Sequence, residues 1–230
     1  MVMKVFLDSA DREDMGEYAS VVQGFTTNPS LMRKAGVEEY AAWATEICAA
    51  FPNHPVSFEV VTDDLSEMVR QAELIQSWGP NVFVKIPVMN TQGEFTGRIL
   101  KRLSKNGVNV NVTAIMSRDQ VRAVIKALDK RARAILSVFA GRIADTGADP
   151  SPTVRCAVKH TRPFRGFDVL WASPRQVLDI YWAERAGADI ITVSKDILAR
   201  RALHGKDLHD FSRETVEMFY RDATMSGYTL

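Results

Sequence analysis

The stretch VNVNVTAIMSRDQVRAVIKALDKRARAILSVF, residues 108–139, changes period twice. Val108–Ile115 and Ala134–Phe139 are short apolar runs in which Val, Ile and Leu recur at every second position, the repeat of a β-strand. Between them Val121, Val124, Ile125 and Leu128 fall three or four residues apart, on one face of a helix. Strand, helix and strand in so short a stretch is the unit that joins two parallel strands by a crossover.

The alternation continues on both sides. Runs rich in Val, Ile and Phe occur at Met3–Asp8, Val21–Phe25, Val56–Val61 and Val82–Pro87, and again at Asp168–Ala172 and Asp189–Ser194, eight in all. Leu65, Val69, Ala72 and Ile75 form a second helical stripe. Eight alternations in 230 residues fit a (β/α)8 TIM barrel, typically about 250 residues long. An open doubly wound sheet uses the same alternation, but FLDSADRED after the first run has no GxGxxG, and no GxxxxGK occurs anywhere. Residues 1–230 are therefore expected to form one α/β barrel domain. A helix is expected to open at Ser151. Residues 206–230 carry Leu208, Phe211, Val216, Phe219 and Tyr220 at helical spacing, a C-terminal extension free to cover the barrel or reach a neighbouring subunit.

Composition narrows the partners. Lys and Arg number 29 against 28 Asp and Glu, a net charge of +1 without blocks of one sign, so bulk charge points to neither nucleic acid nor membrane. Two cysteines suit a reducing compartment. The apolar start is too short for a signal peptide and no run approaches the roughly 20 residues of a membrane span, so a cytoplasmic protein is expected.

In a barrel, alternate residues point inward and the active site lies at the carboxyl ends of the strands. Period-two reading then pairs Phe6 with Asp8, Ser57 with Glu59, Phe83 with Lys85, Asn111 with Thr113, Ile135 with Ser137, and Trp171 with Ser173. Six strands each put a polar group at one end of one face. Taken alone, Asp8 also suits an N-cap for a helix near Ala10. Glu59 and Lys85 admit a structural ion pair, but an interior lysine also loses its charge readily and becomes a nucleophile for a carbonyl carbon, forming a Schiff base. Asp8 or Glu59 would then move the proton on the hydroxyl that becomes an aldehyde. His54, His160, His204 and His209 have no familiar metal-ligand spacing, so no metal is expected. Lys195 is a rival lysine, expected at a solvated helix start.

The segments GFTTNPSL (Gly24–Leu31), FVKIP (Phe83–Pro87), NVNVTAIMS (Asn109–Ser117), SVFAGRIADTG (Ser137–Gly147), WASPR (Trp171–Arg175) and AGADIITV (Ala186–Val193) resemble the transaldolase family, in its order. The length is similar to its small, barrel-only branch, which includes fructose-6-phosphate aldolases. The resemblance implies a class I aldolase barrel that needs no cofactor, with Lys85 as the Schiff-base lysine and Asp8 as the acid/base for carbon–carbon cleavage. It implies that Glu59 and Thr113 hold a catalytic water. Asn28, Asn111, Ser137 and Phe139 would meet the sugar, and Arg142, Ser173 and Arg175 its phosphate. Glu59 and Phe139 stand where the aldolases carry glutamine and tyrosine, which favours a transaldolase of the pentose phosphate pathway. Ala140 and Pro174 depart from the family pattern, Pro174 beside Arg175. The branch also implies pentameric rings or pairs of rings. The competing functions are an aldolase releasing free dihydroxyacetone and a non-catalytic sugar-phosphate-binding barrel.

Overall fold

The computed structural model describes residues 2–228. In chain order the elements are β1 (Lys4–Asp8), α1 (Arg12–Tyr18), β2 (Phe25–Thr26), α2 (Pro29–Lys34), α3 (Tyr40–Ala50), β3 (Val56–Glu59), α4 (Leu65–Gln76), β4 (Val82–Pro87), α5 (Gly97–Lys105) and β5 (Val110–Ile115). There follow α6 (Arg118–Ala127), β6 (Ala134–Val138), α7 (Ala140–Ala144), α8 (Ser151–Thr161), β7 (Phe167–Trp171), α9 (Leu178–Ala186), β8 (Ile190–Val193), α10 (Lys195–Arg200) and α11 (Leu208–Ser226). The eight strands pair in parallel and in order, and β8 closes on β1 with Phe6 opposite Thr192. The fold is a TIM barrel.

Local sequence explains the elements. Ser117 and Gln120 cap α6 reciprocally, each side chain taking the other's backbone N–H, and Val121, Val124 and Ile125 turn inward. Helix α8 opens at Ser151 with Pro152 in its first turn. Asp8 does not cap α1: Asp11 does, through the N–H groups of Glu13 and Asp14, which leaves Asp8 at the end of its strand facing the barrel.

Two apolar layers result. Outside the sheet, Val, Leu and Ile of the strands meet the buried faces of the helices. Inside lie Phe6, Phe83, Ile135, Leu170, Ala172 and Ile190. Gly24 makes room for Phe6, since a Cβ there would stand 2.6 Å from its ring. At the amino end of the strands Lys4 pairs with Asp168 at 3.3 Å, and the Arg133 guanidinium lies 5.1 Å from the centre of the Phe83 ring.

Two strands differ from expectation. β2 is only Phe25–Thr26; Val21 and Val22 belong to the turn before it, where Val22 reaches the core from irregular backbone and Val21 stays half exposed. On β7 the inward residues are Leu170 and Ala172, while Trp171 packs outward in the helix layer. The phase is set by β6, where Ser137 lies opposite Leu170. No helix among the described residues is long and apolar enough to cross a membrane. Helix α11 buries none of its residues; Phe211, Val216, Phe219 and Tyr220 all face solvent. The last two residues of the expected extension lie outside the described residues.

Phe6 is among the largest fully buried side chains and fills the barrel centre. Phe6→Ala should lower unfolding free energy by ~3–5 kcal/mol, read from urea denaturation.

Candidate active site

Above the inner apolar layer, the next inward residue is polar on every strand but β7, where it is Ala172. Register sets their neighbours: Asp8 beside Thr26, Glu59 beside Lys85, Lys85 beside Asn111. Together they line a cavity of about 520 Å³ at the carboxyl ends of the strands, within the usual range for small-molecule sites. A cavity of about 580 Å³ opens at the opposite end, around Arg162, Arg165, Asp168 and Asp189. Barrel chemistry sits at the carboxyl ends, so the smaller cavity is the candidate site.

Lys85 is buried in it. Its Nζ lies 3.0 Å from Glu59 Oε2 and donates to the Thr27 carbonyl at 2.7 Å. The backbone carbonyl of Glu59 is held in turn by the Tyr40 hydroxyl at 3.0 Å. Asp8 accepts from Thr26 Oγ1 at 2.6 Å. Burial pushes the Asp8 carboxyl above its usual range, against the pull of Lys85 and of the Thr26 hydrogen bond, while the charge of Glu59 adds to the rise. Glu59 alone pairs with Lys85, and Asp8 is a second carboxylate in the same cavity, more than a structural ion pair needs. Asn111 is fixed from both sides, taking a hydrogen bond from Ser137 Oγ at 2.6 Å and giving one to Ser57 Oγ at 3.0 Å. Among the described residues Thr113 Oγ1 is buried without a hydrogen-bond partner.

The rim is built from irregular backbone. The register of β5 shifts between Val112 and Ile115, with Ala114 at φ +60°, a bulge that turns both Thr113 and Ala114 to the cavity. Asn28 caps α2 through its Oδ1, which accepts from the Leu31 N–H at 3.0 Å. Phe139 and Arg142 approach from α7 and its start. Ser173 reaches the cavity although Trp171 points away, because its own φ of +57° turns the chain back after β7. Gly141 lies against that turn so closely that a Cβ would fall 1.6 Å from the Ser173 carbonyl oxygen.

Of the residues singled out in the sequence, Asp8, Asn28, Glu59, Lys85, Asn111, Thr113, Ser137, Phe139, Arg142 and Ser173 therefore border one cavity. Arg175 does not. Its guanidinium grips Asp145 at 3.1 and 2.5 Å, half exposed, and its backbone N–H is held by Asp179 at 2.6 Å. Lys195 pairs with Asp14 and Glu17 at the start of α10, as a solvated lysine, and both bonds raise its pKa. Sequence reasoning missed Thr26 and Thr192, whose hydroxyls meet at 2.6 Å behind Asp8. The available signal was a hydroxyl late in the apolar run DIITV, at the inward phase.

Residues 5–227 match the family model described as Transaldolase/Fructose-6-phosphate aldolase, and the chain belongs to that family. It is 37% identical over 206 residues to a probable transaldolase of Dehalococcoides mccartyi, covering 88% of this chain and 91% of the relative. A probable transaldolase of Rhizorhabdus wittichii is 33% identical over 232 aligned residues, covering 99% of this chain and all of the relative. Among solved structures, 3-hexulose-6-phosphate synthase of Salmonella typhimurium superposes with a TM-score of 0.60 at 16% identity, covering 86% of this chain and 91% of that one. 3-Keto-L-gulonate-6-phosphate decarboxylase of Vibrio cholerae gives 0.58 at 15%, covering 88% and 89%. At such identities these two share the fold alone.

The raised pKa of Asp8 has a thermodynamic sign. Its folded value lies above its unfolded one, so the ionised carboxylate weighs against folding at neutral pH, and this cost disappears below the unfolded pKa. Asp8→Asn should melt above the parent at pH 7, by about 3 °C for each kcal/mol recovered in a chain of this size. The gap should close as pH falls through the carboxylate range, which calorimetry can follow.

Proposed function

We propose that the protein is a transaldolase that carries a dihydroxyacetone unit from a ketose phosphate, fructose 6-phosphate or sedoheptulose 7-phosphate, to an aldose phosphate through a Schiff base on Lys85. The observation that supports this most is Lys85 buried against Glu59 with Asp8 in the same cavity. In this reading the neutral Lys85 amine attacks the ketose carbonyl carbon and water leaves, with Glu59 and a water held at Thr113 moving the protons. The iminium nitrogen then draws the electron pair of the C3–C4 bond, while ionised Asp8 takes the proton of the C4 hydroxyl. An aldose phosphate departs and an enamine stays on Lys85. Attack of that enamine on the acceptor aldehyde, with the proton returned from Asp8, makes the new bond, and hydrolysis frees the product.

Substrate contacts follow from the rim. Asn28 has its carbonyl engaged in the α2 cap, so its amide N–H groups remain for hydroxyl oxygens of the sugar. Asn111, Ser137 and Phe139 border the sugar chain, and Arg142 with Ser173 takes the phosphate. Arg175 joins them only by leaving Asp145. Glu59 and Phe139, with the naming of the curated relatives, favour transfer over release of free dihydroxyacetone. The reading extends to a cytoplasmic enzyme of the pentose phosphate pathway, without metal or cofactor. It also includes a homo-oligomer, pentamer or decamer, in which the exposed apolar side chains of α11 are covered by a second copy.

Borohydride added with fructose 6-phosphate should leave a mass adduct on Lys85 and none in Lys85→Ala; an unmodified Lys85 removes the mechanism. Glyceraldehyde 3-phosphate should accumulate only when erythrose 4-phosphate is present, whereas an aldolase would release it, with dihydroxyacetone, from fructose 6-phosphate alone. Arg142→Ala should raise KM for fructose 6-phosphate about tenfold or more, the loss of a charge-assisted hydrogen bond worth ~1.5–3 kcal/mol. Sedimentation should show a particle several times the 25.7 kDa chain.

A further inference from the structure

Behind Asp8 two hydroxyls stand in line. Thr26 Oγ1 is 2.6 Å from Asp8 Oδ1, and Thr192 Oγ1 is 2.6 Å from Thr26 Oγ1. Both threonines are buried, and they come from the two strands that flank β1. A hydroxyl has one proton to give. When Asp8 is ionised it can only accept, so Thr26 must donate to it, and the contact between the threonines then has a single solution: Thr192 donates to Thr26. The chain of donors runs one way, from β8 through β2 to the carboxylate.

We infer that Thr192 is a positioning residue for the carbon–carbon cleavage step, acting on Asp8 through Thr26. This rests on the Schiff-base reading above. Two consequences follow from the direction of the chain. Oδ1 is occupied by Thr26, so Oδ2 is the oxygen left to take the substrate proton, and the carboxyl plane is fixed. Successive donors polarise one another, so the Thr192 hydrogen bond strengthens the one that Thr26 gives to the carboxylate and favours its ionised, proton-accepting form. Without Thr192, the Thr26 hydroxyl has a free lone pair and turns more weakly to Asp8.

Other charged groups around Asp8 come from several elements. Lys85 of β4 and Glu59 of β3 face it inside the cavity and pair with each other. Beyond the strand end lie Asp11 at the cap of α1, Asp14 within it, Lys34 of α2, and Lys195 and Asp196 of α10, of which Lys195 is bound to Asp14. None of these differs between the variants below, so a displaced pH profile is assigned to the hydroxyl chain.

The test compares Thr192→Val, which keeps the shape and removes the donor, with Thr192→Ser, which restores it. Borohydride trapping with fructose 6-phosphate is run first on each. Adduct on Lys85 at the parent yield reports that imine formation is intact; its absence in the parent protein would sink the Schiff-base reading and this inference with it. The single-turnover rate of glyceraldehyde 3-phosphate release is then followed against pH. Thr192→Val should release about fivefold more slowly at neutral pH, the worth of one hydrogen bond. Its acid limb should move to higher pH, because a carboxylate whose Thr26 donor is weakened is protonated more easily. KM should stay as it was, and Thr192→Ser should recover both rate and profile. An acid limb that does not move in Thr192→Val, or a serine variant no better than the valine, overturns the inference. Should valine prevent folding, Thr192→Ala removes the same donor without crowding and is judged by the same two readings.

Discussion

Removing one ammonium and two carboxylates from water together is the constraint on which the rest of this structure depends. Each ion alone would cost several kcal/mol in the barrel interior. Lys85 is compensated by Glu59 at 3.0 Å and by the Thr27 carbonyl, and Asp8 by Thr26, with Thr192 behind it. That compensation needs five strands in fixed register, because the partners come from β1, β2, β3, β4 and β8 and its nearby loops. Only a closed sheet brings β8 back to β1. The inner layer of Phe6, Phe83, Ile135, Leu170 and Ile190 fills the barrel below the charges. The compensation is incomplete at Asp8, where burial outweighs Lys85 and Thr26 and holds the carboxyl pKa above its usual range.

Much of this was legible in the sequence, for identifiable reasons. Strand phase could be read wherever a strand mixed polar and apolar residues, as in Val82–Pro87, where Lys85 can only face the interior end of the barrel. It failed on β7, FDVLW, because both faces of that strand are apolar at its carboxyl end. The one polar marker there was Asp168, which faces Lys4 at the far end of the barrel and fixes Leu170 as inward. β2 was misjudged because its two residues pair through backbone groups, and the apolar Val21–Val22 that suggested a strand serves a turn. Asp8 was read in two ways, and the presence of Asp11 three residues later decided between them.

Residues without an unusual type were harder to see. Thr192 lies in a run of Ile and Val where one hydroxyl is unremarkable, and its importance comes only from the register that puts Phe6 opposite it and Thr26 two strands away. Ser173 was named on a mistaken phase and still borders the cavity, because its left-handed backbone reverses the strand's direction. Arg175 shows the opposite case: it was expected at the phosphate, but its charge neighbour Asp145 holds its guanidinium away from the cavity lining. Pairings between distant exposed side chains leave no pattern in a single sequence.

The contact between Gly141 and Ser173 bears on how the rim would behave mechanically. There is no volume between the two segments for even one more carbon atom, and Gly141 also donates its N–H to the Ala172 carbonyl at 3.3 Å. The start of α7 and the turn after β7 are thus pinned at a single point, with Arg142 on one side of the pin and Ser173 on the other. Displacing either segment must therefore displace the other. The two form one rigid edge of the cavity that Asn28 and the start of α2 also border.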